Sequence, residues 1–147
     1  MFIGRYVHTI DSKGRVSIPV KFREILVERY EEKLILTSDF DQCLVAYPTE
    51  EWHLIEEKTK GLPMMQPEVK DFMRFFYSRA VECVLDKQGR ILIPPSLREY
   101  AGLNKEIVLI GMYNKVEVWD NKKWIDREAK IPQKLGKISE TLSNLGL

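Results

Sequence analysis

The feature that most constrains the fold of this 147-residue chain is that it carries one segment twice. Residues 11–24 read Asp-Ser-Lys-Gly-Arg-Val-Ser-Ile-Pro-Val-Lys-Phe-Arg-Glu, and residues 86–99 read Asp-Lys-Gln-Gly-Arg-Ile-Leu-Ile-Pro-Pro-Ser-Leu-Arg-Glu. Asp, Gly, Arg, Ile, Pro, Arg and Glu recur at an offset of 75. Three residues fewer after the second motif reduce the offset to 72, which sets Leu36 against Val108, Tyr47 against Trp119 and Trp52 against Trp124. A repeat of about fifty residues is one supersecondary unit. Alone it can neither bury both faces of its strands nor hide its sheet edges, so the two copies must complete one another around a shared core.

Within each copy the residues specify strand, turn, strand, short helix, hairpin and closing helix. Tyr6, His8 and Ile10, like Val81, Cys83 and Leu85, alternate with the period of a half-buried strand. Because His8 stands where the other copy has Cys83, its imidazole reads as core-lining or half-exposed rather than catalytic. Asp11 to Gly14 and Asp86 to Gly89 are turn signals, since Asp bonds back to following amides and Gly accepts positive φ. Val16 and Ile18, and Ile91 and Ile93, resume the alternation until Pro19 or Pro94 ends the strand and opens a helix. Leu97, Tyr100 and Ala101 form the apolar stripe of the second such helix, and Gly102 stops it. Two hairpins follow, turning at residues 39–42 and 113–115, with Thr49 and Asp120 expected as N-caps of the closing helices.

The expected architecture is therefore α+β, a single domain over 1–147. Repeat 1 spans about 3–60, a connecting helix about 67–77, repeat 2 about 78–130, and a tail, 131–147, is expected to fray. The two βαββ repeats should interleave as a pseudo-twofold β-barrel with peripheral helices.

Charge supplies the functional clue by its distribution. The 23 Lys and Arg nearly balance the 22 Asp and Glu, yet residues 5–23 hold Arg5, Lys13, Arg15, Lys21 and Arg23 against Asp11 alone. Residues 24–62 carry ten acids against four bases. Such polarity suits a basic face for phosphate, although an acidic surface is also an ordinary route to solubility. Arg15 and Arg90 can each hold the turn Asp with one edge and meet phosphate or guanine with the other, with Lys13 and Lys87 adding positive charge. The Asp–Arg pairs read equally as turn-closing ion pairs.

Other chemistry finds little support. His8 and His53 lie beside no Ser, Cys or paired carboxylate at a catalytic spacing, and phosphate-loop, dinucleotide-binding and zinc-peptidase motifs are missing. Cys43 and Cys83 form no C-x-x-C, so two buried thiols are expected and no metal or cofactor. Trp52 and Trp124 read as core rather than as base-stacking platforms. Neither a secretory signal nor a membrane-length apolar run is present, which sets the expectation of a cytoplasmic protein without a membrane partner.

Met1-Phe-Ile-Gly4, Asp11-Ser-Lys-Gly-Arg-Val-Ser-Ile-Pro19 and the second Asp86-Lys-Gln-Gly-Arg90 together resemble the MraZ family of bacterial transcriptional regulators, nearly throughout the chain. That family falls within the AbrB-like, swapped-hairpin, double-psi group of DNA binders. The resemblance implies a non-enzymatic, nucleoid-associated regulator of the division and cell-wall gene cluster, acting on its own promoter. It further implies a ring-shaped homo-oligomer on double-stranded DNA carrying direct repeats, where tethered weak contacts add through avidity. The motif carries contact roles to Arg15 and Arg90, and turn roles to Asp11, Gly14, Asp86 and Gly89. Lys13 stands where the second copy has Gln88, which places Arg15 ahead of Arg90. Arg5 and Lys21 enter through local charge alone. The alternative is a protein-interaction or antitoxin-like module whose basic turns are incidental.

Overall fold

The computed structural model describes residues 1–29 and 31–147. In chain order the first repeat gives β1 (Arg5–Thr9), β2 (Arg15–Ser17), α1 (Val20–Arg29), β3 (Lys33–Ser38), β4 (Leu44–Pro48) and α2 (Thr49–Lys60). After α3 (Pro67–Tyr77), the second gives β5 (Val81–Val84), β6 (Arg90–Leu92), α4 (Pro95–Ala101), β7 (Glu106–Gly111), β8 (Val116–Asp120) and α5 (Asn121–Leu135). The mixed α+β fold of two repeats is the one expected.

The repeats exchange strands. β1 pairs with β7 and β5 with β3, so each repeat's first strand completes the other's hairpin. The central β4–β8 ladder joins the two hairpins, giving a six-stranded sheet ordered β1-β7-β8-β4-β3-β5. β2 and β6 form a separate two-stranded ribbon centred on Val16 opposite Ile91, one residue from each repeat at equivalent positions. Both side chains are 1% exposed and reach the main core between ribbon and sheet. Burying each contributes about 1.5–3 kcal/mol.

The register corrects the sequence alignment. β1 and β5 match β7 and β3 such that Leu34 corresponds to Ile107 and Leu36 to Leu109, all four in the main core. Val108, set against Leu36 by the uniform 72 offset, instead joins a second cluster with Cys43 and Trp119 on the other side of the sheet. The shortening of the second copy is split between the helix–strand loop and the hairpin turn. Sequence identity was too low there to locate it, and a one-residue slip exchanges the faces of a strand.

Helix ends follow side-chain chemistry, with one departure. Gly102 ends α4 in the left-handed region at φ 61°, and Asp120 caps α5 by accepting the Lys123 N–H at 3.3 Å. Thr49 is not an N-cap: α2 begins on it, with Pro48 at the cap position, and its buried hydroxyl finds no partner among the described residues. Thr37 and Ser38, both fully buried, donate their hydroxyls to the Phe76 and Phe75 carbonyls at 2.6 and 3.1 Å, satisfying groups that the last turn of α3 leaves without helical partners. Trp52 and Trp124 are half-buried, packed beside the Tyr47–Phe76 and Val108–Trp119 clusters respectively.

The tail expected to fray, 131–147, is exposed along nearly its whole length. α5 runs to Leu135, a short 3-10 turn covers Gly136–Ile138, and α6 covers Ser139–Asn144, with no residue of these helices buried. Local backbone bonding and capping shape it without a packed face. Cys43 and Cys83 are buried free thiols, and no described helix is long and apolar enough to cross a membrane.

Candidate nucleic-acid interface

The two Asp-x-x-Gly-Arg turns lead into the two strands of the β2–β6 ribbon. In the first, Asp11 Oδ1 accepts the backbone N–H groups of Lys13 and Arg15 at 2.9 and 2.8 Å, and Oδ2 accepts Arg15 Nε–H at 2.7 Å. In the second, Asp86 Oδ1 accepts from Gln88 and Arg90 at 2.8 and 2.9 Å, and Oδ2 accepts Arg90 Nε–H at 2.9 Å. The backbone N–H of Arg15 leads the interactions that hold the Asp11 carboxyl down at about 2, and the equivalent bond from Arg90 lowers Asp86. Gly14 and Gly89 take φ of 90° and 74°, as the turn geometry requires.

Cross-repeat bonds lock the turns in place: Ile18 N–H donates to the Gly89 carbonyl at 2.9 Å, and Ile93 N–H to the Gly14 carbonyl at 2.8 Å. In the ribbon, Arg15 lies opposite Leu92 and Ser17 opposite Arg90. With Val16 and Ile91 turned into the core, these four share the outer face, and the two arginines are diagonal neighbours about 7–8 Å apart. Each spends Nε on its Asp, while among the described residues the Nη groups hydrogen-bond to no protein atom. Those groups form the planar edge that matches a phosphate or guanine O6/N7. A two-stranded ribbon also has the dimensions to enter a major groove.

Lys13 and Lys87 stand exposed at the turn tips beside the two arginines. Arg5 and Lys21 are placed elsewhere. Arg5 begins β1 and pairs through Nη1 with Glu128 on α5, while Lys21 lies exposed in the first turn of α1, beside a cleft lined by Met1, Tyr6 and Phe22.

Two arginines that sequence reasoning left without a role cross from one repeat to the other. A Cβ on Gly14 would lie 2.9 Å from the Arg98 guanidinium, and one on Gly89 would fall against Arg23 Nη1. Arg98 of repeat 2 therefore packs on turn 1, and Arg23 of repeat 1 on turn 2. Their signal was visible, since this Arg is one of the seven repeated identities.

The one cluster of potential metal ligands among the described residues, Asp39, Cys43 and Glu117, belongs to the β3–β4 and β7–β8 hairpins. Burial pushes both the Cys43 thiol and the Glu117 carboxyl up, and neighbouring acids add to each shift. His8 Nδ1 lies 2.6 Å from the Ser17 carbonyl, while His53 is exposed beside Glu56.

Strand exchange between tandem repeats, with paired Asp-x-x-Gly-Arg turns on one ribbon, defines a single-chain swapped-hairpin protein. The family model described as "MraZ protein, putative antitoxin-like" matches residues 1–75 and again 76–144, one match to each repeat. The protein from Desulfitobacterium hafniense (strain Y51) named "Transcriptional regulator MraZ" is 49% identical over 147 residues, covering both chains completely. Proteins of that name from Acetivibrio thermocellus and Caldicellulosiruptor bescii are 48% and 44% identical, again over the full length of both chains. The chain belongs to the MraZ family.

Proposed function

We propose that this chain is a DNA-binding transcriptional regulator that contacts double-stranded DNA through the outer face of the β2–β6 ribbon. The observation that carries the reading is the paired placement of Arg15 and Arg90, each oriented by its turn Asp and each with its terminal guanidinium edge free of partners among the described residues. Lys13 and Lys87 supply phosphate attraction at the turn tips, and the arginine edges supply base contacts. The names of the full-length relatives support the same role. The function is binding rather than catalysis.

The fuller proposal is a ring-shaped homo-oligomer that reads direct repeats upstream of its own gene, in the division and cell-wall cluster, within the cytoplasm and nucleoid. Strands β1 and β5 end the six-stranded sheet, each with one edge unpaired among the described residues, and Ile3, Val7 and Tyr113 are exposed at or near β1, which suits self-association. Head-to-tail rings match direct repeats, whereas a simple twofold dimer matches palindromes. Native mass spectrometry with duplexes carrying the upstream repeats in direct or inverted order tests this. A closed oligomer should prefer the direct arrangement; a monomer, or equal affinity for both arrangements, contradicts it. The family model's description as antitoxin-like favours a second reading, a protein-interaction module, whose partner binding would survive Arg15→Ala.

A further inference from the structure

The two turns are equivalent in backbone and differ in the charge beside them. Ile10, just before turn 1, donates its N–H to the Lys105 carbonyl at 2.9 Å, and Leu85, just before turn 2, donates to the Glu32 carbonyl at 3.1 Å. These are the same bond in the two repeats. Asn104 and Lys105 on the shoulder of the first turn therefore stand where Glu31 and Glu32 stand on the second. All four are exposed. Lys33 lies 3.3 Å from Glu31, though it is shared with Glu82 at 3.2 Å, so the second shoulder keeps an acidic excess, whereas on the first Glu106, at the position of Lys33, balances Lys105.

A cleft of about 490 Å³ opens beside the first turn, lined by Ser12, Arg98, Asn104 and Lys105 together with Thr9 and Asp11. Arg98 reaches it from across the repeat boundary, and its Nε is buried over Gly14 without a hydrogen-bond partner among the described residues. The Asp11 carboxylate is already occupied by two backbone N–H groups and Arg15. The cleft is left with two cations and the donors of Ser12 and Asn104, which is phosphate-binding chemistry. At the second turn, Arg23 has the same orphaned Nε, but the neighbouring shoulder carries two carboxylates that repel an anion.

We propose that the cleft formed by Arg98, Lys105, Asn104 and Ser12 binds a phosphate of the duplex backbone beside turn 1, and that Glu31 and Glu32 bar the equivalent contact at turn 2. The inference rests on the DNA-binding reading above. It makes a pseudo-symmetric ribbon engage a duplex with one polarity, as a reader of direct repeats requires.

The test titrates the full chain with a duplex of its own upstream region over a range of chloride concentrations. The variants are Lys105→Glu and the double variant Glu31→Asn, Glu32→Lys, each first matched to wild type in melting and oligomer size. Each phosphate contact contributes about 0.9 to the logarithmic salt slope. Lys105→Glu should lower the slope by about one, and the double variant should raise it by about one. Wild-type binding with slopes unchanged in both variants overturns the proposal while leaving the regulator reading intact. A wild type that does not bind overturns both. Inorganic phosphate replacing chloride at equal ionic strength should weaken duplex binding by wild type more than by Lys105→Glu, because both phosphates compete for the cleft; phosphate binding to the protein with no such difference in duplex binding would instead assign the cleft to free phosphate and overturn the backbone contact.

Discussion

Alanine at the two turn glycines should separate the equivalent turns by what each glycine touches. Gly14 and Gly89 both have positive φ, so a side chain at either costs about 1–2 kcal/mol from backbone strain. At Gly14 the new Cβ would also lie 2.8 Å from the carbonyl oxygen of Ile93, whose own N–H donates to the Gly14 carbonyl. Relief requires moving the other repeat's backbone and weakening that bond, a further cost of about 1–2 kcal/mol. At Gly89 the nearest atoms belong to the Arg23 side chain, which can swing away. Gly14→Ala should lose about 3 kcal/mol and Gly89→Ala about half as much. For a chain of this size these correspond to melting points lowered by about 6–12 °C and about 3–6 °C in differential scanning calorimetry. Equal losses, or a larger loss at Gly89, would refute the reasoning.

Three further perturbations address other parts of the fold. The folded Asp11 carboxyl titrates at about 2 against an ordinary 3.8, so its stabilisation is complete above the ordinary value and is lost as pH falls toward 2. The melting deficit of Asp11→Asn should therefore be full at pH 7 and shrink below about pH 4; a deficit independent of pH contradicts this. Glu117 shows the opposite sign: burial raises it, so the folded state is penalised once pH exceeds the ordinary carboxylate range. Glu117→Gln, which keeps an acceptor for Trp119 Nε1–H at 2.9 Å, should raise the melting point at neutral pH and not at pH ~4; no gain at neutral pH would exclude that penalty. In urea unfolding, Asp120→Ala should cost about 1–3 kcal/mol because Asp120 accepts both Lys123 N–H and Asn104 N–H, whereas Thr49→Val should be neutral or stabilising because it removes a buried hydroxyl without a partner.

Much of this fold was legible because the repeat shows each local signal twice. Asp, Gly and Arg at the turns, Gly102 at a helix end and Asp120 at a helix start act on neighbours within a few residues, so spacing alone identifies them. Strand exchange followed from unsatisfied sheet edges. What escaped depends on distances the linear sequence does not carry. The position of the deletion in the second copy is fixed by pairing with β1 and β5, and Leu36 corresponds to Leu109 through that ladder. Thr49 has the composition of an N-cap, but Pro48 holds the extended cap geometry one residue earlier. Arg23 and Arg98 were visible as repeated residues, yet their roles depend on the repeat to which each crosses. The differing shoulder charges become comparable only once Ile10–Lys105 and Leu85–Glu32 are seen as one bond in two copies.

The central claim is that the ribbon arginines bind DNA, and its most direct test is duplex binding by wild type and Arg15→Ala across a salt series, with oligomer size matched. The Arg15 side chain is 35% exposed on the outer face of the ribbon, so the variant should remain folded while losing affinity, and wild type should show a clear negative salt slope on its own upstream region. Retention of wild-type affinity and slope by the folded Arg15→Ala protein would contradict the account.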